Sequence, residues 1–304
     1  MILVTGSNGF IGSNLCISLL NQGYKVLAID DLSNAARNSF DRIKAGAKEN
    51  WSNFTFFSCD VTELNHLLSI LFNFKIKKIV HLAAVGSIQR SFSDPSHTLK
   101  VNEIGFSNIL QAAHIIKAQR VVYASSSSVY GDTPYPIRHE GIESAARSPY
   151  ALSKLHNEKL AKIMSKKYNL ETIGLRFFNV YGPGQRHDSP YSAVIPKFIH
   201  NEKLIINGDG SQIRDFTFVA DACRAIVSAL DCETHGFVTN VCTGVGTSIT
   251  ELANKLSNGR EIHYSEARPG ETMTSIGSPD LAIKLLKFQA ITSLDIGLKI
   301  TKEA

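Results

Sequence analysis

The sequence predicts an α/β fold: a doubly wound parallel sheet with helices on both faces, and a smaller carboxy-terminal α/β lobe beside it. Three observations carry that expectation. Short apolar runs alternate with helix-length amphipathic segments from the first residue onward. The runs are continuously apolar rather than alternating, as strands covered on both faces must be. A length of 304 residues suits one large domain, or a main domain with an appendage. In chain order, strands are expected at Ile2 to Val4, Lys25 to Ile29, Phe54 to Phe57, Lys78 to Leu82, Arg120 to Tyr123 and Thr172 to Arg176. Helical periodicity falls on Ile11 to Leu20, Glu63 to Phe72, Thr98 to Lys117 and Tyr150 to Tyr168. Beyond about Gly182, shorter elements are punctuated by Gly182-Pro183-Gly184, Asn207-Gly208-Asp209-Gly210 and Arg268-Pro269-Gly270. The main domain is therefore expected at residues 1–180 and the smaller lobe at 181–304, with an approximate boundary because the chain is expected to cross more than once.

A hydrophobic fraction of 43% with 19% charged residues is enough for a sizeable core and excludes disorder over the whole chain. No apolar run nears the roughly 18 residues of a membrane span. The chain enters Ile2-Leu3-Val4 without a charged leader, so a cytoplasmic location away from membranes is expected. The net charge of +5 is scattered in pairs such as Lys77-Lys78 and Lys166-Lys167, which suits an anionic small molecule rather than nucleic acid. Five cysteines without C-x-x-C spacing, and no H-E-x-x-H, argue against a disulfide framework or a metal site.

The first strand runs into Thr5-Gly6-Ser7-Asn8-Gly9-Phe10-Ile11-Gly12, a G-x-x-G-x-x-G that opens a helix. Glycine is needed there so that the backbone can approach a diphosphate and the helix can pack tightly on the strand. The Phe10 and Ile11 amides then lie at the positive end of the helix. A glycine triplet alone could be a tight βα turn. Asp30 closes the next strand 18 residues after Gly12, however, where a carboxylate can hold an adenosine ribose diol and disfavour a 2′-phosphate. NAD is therefore expected rather than NADP, with Asp31 and Asn34 beside the ribose. After the third strand, Asp60 and Val61 stand where the adenine would lie, although Asp60 could equally start a helix with Thr62-Glu63.

Tyr150 and Lys154 form Y-x-x-x-K, one helical turn apart on a shared face. An unperturbed tyrosine is a poor base at neutral pH. A neighbouring ammonium and a positively charged nicotinamide favour the phenolate, which can take a proton from an alcohol. The preceding Tyr123-Ala124-Ser125-Ser126-Ser127-Ser128 is a strand ending in hydroxyls, at the edge where ligands lie in open α/β sheets.

With these motifs the chain resembles the extended short-chain dehydrogenase/reductase superfamily, specifically its nucleotide-sugar 4-epimerases acting on UDP-hexoses and UDP-N-acetylhexosamines, over essentially its full length. The matching segments are the glycine turn, His81-Leu82-Ala83-Ala84, Ser126 with Tyr150 and Lys154, Leu175-Arg176-Phe177-Phe178-Asn179, Gly208-Asp209-Gly210, Arg214-Asp215-Phe216 and Arg268-Pro269-Gly270-Glu271. The resemblance implies a Rossmann domain, with Leu82, Ala83 and Ala84 against the cofactor. It implies Ser126 as the catalytic hydroxyl, Tyr150 as the base, and Lys154 as the residue that tunes it and binds the nicotinamide ribose. Asn179 is implied at the sugar diphosphate, Val194, Lys197 and Phe198 at the uracil, Arg214 and Arg268 at the diphosphate, and Glu271 at the uridine ribose. It further implies a homodimer paired through the 98–117 and 150–168 helices.

Within that superfamily, dehydratases and decarboxylases carry acidic residues after the catalytic hydroxyl, where this chain has Ser127 and Ser128. Oxidation followed by reduction at C4 is the reaction left. The resemblance at Val85-Gly86-Ser87 leans toward epimerases of N-acetylated or uronic sugars, and Ser275 leaves room where some relatives place a tyrosine. UDP-N-acetylglucosamine or its uronic acid is therefore the expected substrate, with UDP-glucose, a 4-keto-sugar reductase and a dinucleotide-sensing scaffold as alternatives.

Overall fold

The computed structural model describes residues 1–188, 192–267 and 272–304. Seven parallel strands form the large sheet, in the order Phe237–Val241, Glu171–Phe177, Arg120–Ser126, Lys78–His81, Ile2–Thr5, Val26–Asp30 and Phe54–Ser58. The winding direction reverses between Ile2–Thr5 and Lys78–His81, whose carboxyl ends therefore flank a crevice where ligands bind in such sheets.

Side chains alternate across a strand, and both faces here are apolar. Ile2, Val4, Val26, Ala28, Val80 and Val122 enter one core, with Leu15 and Leu19 of helix Phe10–Asn21 and Ile226 of helix Val219–Asp231. Leu3, Leu27, Ile79 and Val121 enter the other, with Leu67 of helix Leu64–Leu71, Phe106 of helix Gly105–Ile115 and Ala161 of helix Pro149–Tyr168.

A second sheet runs Gly246–Ser248, Ile213–Phe218, Thr274–Gly277 and Ile137–Arg138, with Asn179–Tyr181 paired to Ile213–Phe218. Leu204–Asn207 and Ile262–Ser265 form a separate pair. The large sheet thus takes a strand from beyond residue 230, and the second sheet takes one from before residue 140. Asp215, fully buried, ties this region together by accepting from the Thr243, Gly244 and Gly277 amides.

The stretch expected as one helix from Thr98 to Lys117 is instead Pro95–Leu99, a π-helical turn Lys100–Ile104 and Gly105–Ile115. The turn follows from Asn102. Its side chain bonds both main-chain groups of Val85 and the Ser153 hydroxyl, and these tertiary bonds outweigh regular winding.

Candidate active site

A cleft of about 780 Å³ lies over the carboxyl edge of the large sheet. The glycine turn forms its floor. Gly6 has φ +68, and a Cβ there would sit 2.6 Å from the Ala83 nitrogen; one on Gly12 would sit 2.0 Å from the Gly6 carbonyl oxygen. Gly9 has more room, its nearest neighbour at 3.3 Å. Gly6 and Gly12 are therefore fixed by protein packing, and Gly9 precedes the helix whose first amides lack intrahelical acceptors.

At the end of its strand, Asp30 accepts from the Asn8 amide at 2.9 Å and the Leu32 amide at 2.8 Å. Burial pushes its carboxyl above the usual range, while these bonds oppose the shift. The Gly9 amide bonds the carboxylate as well, which leaves at least one lone pair for a ligand hydroxyl. Asp31, Asn34, Val61, Leu82, Ala83 and Ala84 line the same side. Asp60 does too, and it also accepts from the Thr62 amide at 2.8 Å, so it serves the local turn as well. A glycine cradle closed to side chains, a helix start and a held carboxylate fit a dinucleotide.

Ser126, Tyr150 and Lys154, 24 and 4 residues apart in sequence, meet in this cleft. Ser126 ends its strand and begins the 3-10 turn Ser127–Tyr130, accepting from the Ser128 amide at 3.2 Å. Tyr150 stands in the first turn of helix Pro149–Tyr168, started by Ser148, whose hydroxyl accepts from the Ala151 amide at 3.1 Å. Lys154 Nζ donates to the Ala124 carbonyl at 2.9 Å and lies 5.9 Å from the Tyr150 ring centre. Burial pushes the Lys154 ammonium down to about 8, with Glu158 opposing. The Tyr150 phenol is pushed up by burial, opposed by its hydrogen bond with Ser126. In the chain alone the phenol is thus protonated at neutral pH, and the ionised form expected from the motif is not its resting state.

Toward the other end, Gly86, Ser87, Ser127, Asn179, Arg214 and Ser275 line the wall. Arg214 and Asp215 are strand neighbours, so one reaches the cleft while the other enters the interior. Val194, Lys197 and Phe198 are not among the described lining residues; Phe198 is buried in the core shared with the first helix. Arg268 and Glu271 lie outside the described residues.

Sequence reading missed the groups that hold the site. Asn102 ties the Val85 loop to the catalytic helix through Ser153, and the Asn157 side chain donates to the Asn102 carbonyl at 3.0 Å. Glu158 accepts from Ser125 and from two nitrogens of Arg176. The spacing of Glu158, four residues past Lys154, was visible; its partners come from other strands.

Fold and site together define a dinucleotide-binding α/β enzyme with a Tyr–Lys pair in its cleft. The chain belongs to the NAD dependent epimerase/dehydratase family, whose model matches residues 2–242, and it is an NAD-dependent enzyme. It is 33% identical to the UDP-glucose 4-epimerase of Mycolicibacterium smegmatis, over 99% of this chain and 97% of that protein. Among solved structures it is similar to a UDP-N-acetylglucosamine 4-epimerase from Methanobrevibacter ruminantium in complex with UDP-N-acetylmuramic acid. That match has 30% identity and a TM-score of 0.90, over 99% of this chain and 96% of the other. It is likewise similar to the UDP-glucuronic acid 4-epimerase of Bacillus cereus in complex with UDP-glucuronic acid and NAD, with 32% identity and a TM-score of 0.88, over 99% and 98%.

Proposed function

We propose that this chain, an NAD-dependent UDP-sugar 4-epimerase, inverts C4 of UDP-N-acetylglucosamine or its uronic acid. The observation that carries the reading is the meeting of Ser126, Tyr150 and Lys154 in one cleft whose neighbouring positions, Ser127 and Ser128, carry hydroxyls and no carboxylate. Bound NAD supplies a reversible hydride acceptor. The residues to hold it are Gly6, Gly9 and Gly12 with the Phe10 and Ile11 amides, Asp30, Asp31 and Asn34 at the ribose, and Lys154.

The chain's own work is to move a proton. Tyr150 takes it from the C4 hydroxyl and returns it after the 4-keto sugar has presented its other face. Ser126 bonds the same substrate oxygen, and Lys154 favours the phenolate. No acid or base follows Ser126 to remove a C5 proton, so elimination is not supported. The half-buried Ser275 leaves space for a 2-acetamido group, and the likeness to a UDP-N-acetylglucosamine 4-epimerase and to a UDP-glucuronic acid 4-epimerase supports this reading, while the likeness to UDP-glucose 4-epimerases keeps UDP-glucose as the alternative. The nucleotide-sugar lobe is then the second sheet with Asn179 and Arg214.

Each of UDP-glucose, UDP-N-acetylglucosamine and UDP-N-acetylglucosaminuronic acid is to be incubated alone and the C4 epimers resolved by chromatography. Turnover of an N-acetylated sugar is expected, and no epimer from any of the three defeats the reading. Tyr150→Phe should keep NAD and lose at least about a hundredfold in kcat. We also infer a homodimer: Ile104, Leu152 and Ile163 are all more than half exposed on adjoining helices, and the latter two, eleven residues apart, share a face. Light scattering at the monomer mass of 33.3 kDa would refute it.

A further inference from the structure

A second cavity of about 360 Å³ lies between the 132–138 segment and Thr272–Thr274, and Arg138, Arg147 and Thr272 line both it and the main cleft. Neither arginine has a part in the reading above. Arg138 is 4% exposed, at the end of the short strand Ile137–Arg138. Among the described residues its guanidinium donates only to main-chain carbonyls, those of Gly131 at 3.3 Å, Thr133 at 3.5 Å and Thr274 at 2.9 Å. Its Nε is buried with no hydrogen-bond partner.

A buried cation is ordinarily matched by an anion. The carboxylate that acts on Arg138 is Asp132, and Asp132 binds Arg147 at 2.5 Å. Among the described residues two guanidiniums therefore share one carboxylate, which leaves a surplus positive charge on that wall of the cavity. The place is informative as well. Arg147 immediately precedes Ser148, the cap of the helix that carries Tyr150, so the surplus borders the reacting end of the cleft.

We propose that this side cavity is an anion subsite that takes a carboxylate borne by the hexose, with Arg147 contacting it at the rim and Arg138 from the interior. The preferred substrate is then an acidic UDP-sugar, with the carboxylate at C6 or on a ring substituent. This rests on the UDP-sugar reading and narrows it.

The test compares kcat/KM for UDP-N-acetylglucosaminuronic acid and UDP-N-acetylglucosamine in the wild type, Arg147→Gln and Arg138→Met. Calorimetric binding of UDP-glucuronic acid, UDP-N-acetylmuramic acid and UDP-glucose runs alongside. The wild type should favour an acidic sugar about tenfold or more, and Arg147→Gln should cut that ratio about tenfold to a hundredfold, the worth of a charge-assisted hydrogen bond. Preference for the uronic acid places the carboxylate at C6; preference for the muramic acid alone places it on the ring substituent. Equal handling of acidic and neutral sugars, or an equal loss for both on Arg147→Gln, overturns the subsite. Arg147 is partly exposed, so its variant folds even where Arg138→Met does not. If no sugar is epimerised the enzymatic reading fails, while the binding ratios still decide the subsite.

Discussion

Glu158→Gln probes how the buried network behind the catalytic helix supports the site. Glu158 accepts from Arg176 Nε at 2.9 Å and Nη2 at 2.7 Å, and from the Ser125 hydroxyl beside Ser126. Glutamine keeps the volume and one acceptor but loses the charge. One of the two charge-assisted bonds, each worth about 1.5–3 kcal/mol, is lost because an NH2 then faces the guanidinium, and the other is weakened, so about 2–3 kcal/mol is lost. Glu143 still pairs with Arg176, which keeps the loss below the ~3–5 kcal/mol of a fully broken buried pair. At this chain length that is a fall in Tm of about 3–5 °C.

Glu158 also holds the Lys154 ammonium up against burial. The alkaline limb of kcat, near pH 8 in the wild type where Lys154 loses its proton, should therefore move to lower pH in the variant. Differential scanning calorimetry and a pH–kcat profile read the two effects. A Tm within about 1 °C of wild type, together with an unmoved limb, would refute the assignment of Glu158 as the positioning residue.

Two further outcomes follow from the packing. Gly12→Ala puts a Cβ 2.0 Å from a main-chain oxygen that cannot give way, so the turn must open and the purified protein should lose its NAD, read by absorbance of the released nucleotide; full NAD content would contradict it. His81 is buried against Thr5 at 2.8 Å, and burial with the Lys154 charge pushes its imidazole down to about 3. The unfolded chain binds that proton below about pH 6.5 and the native one only below about 3. Stability is thus complete above 6.5 and declines as pH falls through this window, by up to ~5 kcal/mol. Urea unfolding of His81→Gln should show a shallower decline, and an identical slope would count against His81.

Six of the seven strands of the large sheet are legible along the chain, because strands buried on both faces read as unbroken apolar runs and the helices between them keep their period. The glycine turn and the Tyr150–Lys154 spacing are legible too, since each is set by local geometry within a few residues, and Asp30 is legible as the end of the next strand. Contacts between segments far apart in the chain became visible with the folded structure. Phe237–Val241 joins the large sheet, Asn102 distorts its helix to hold Val85 and Ser153, and Glu158 finds Ser125 and Arg176 on neighbouring strands. The same holds for Phe198, whose aromatic side chain goes to the core, and for Arg138, whose buried guanidinium donates to the Thr274 carbonyl 136 residues away. Periodicity reports the environment of a segment, whereas hydrogen bonds and ion pairs between segments depend on which surfaces meet, and composition along one segment does not encode that.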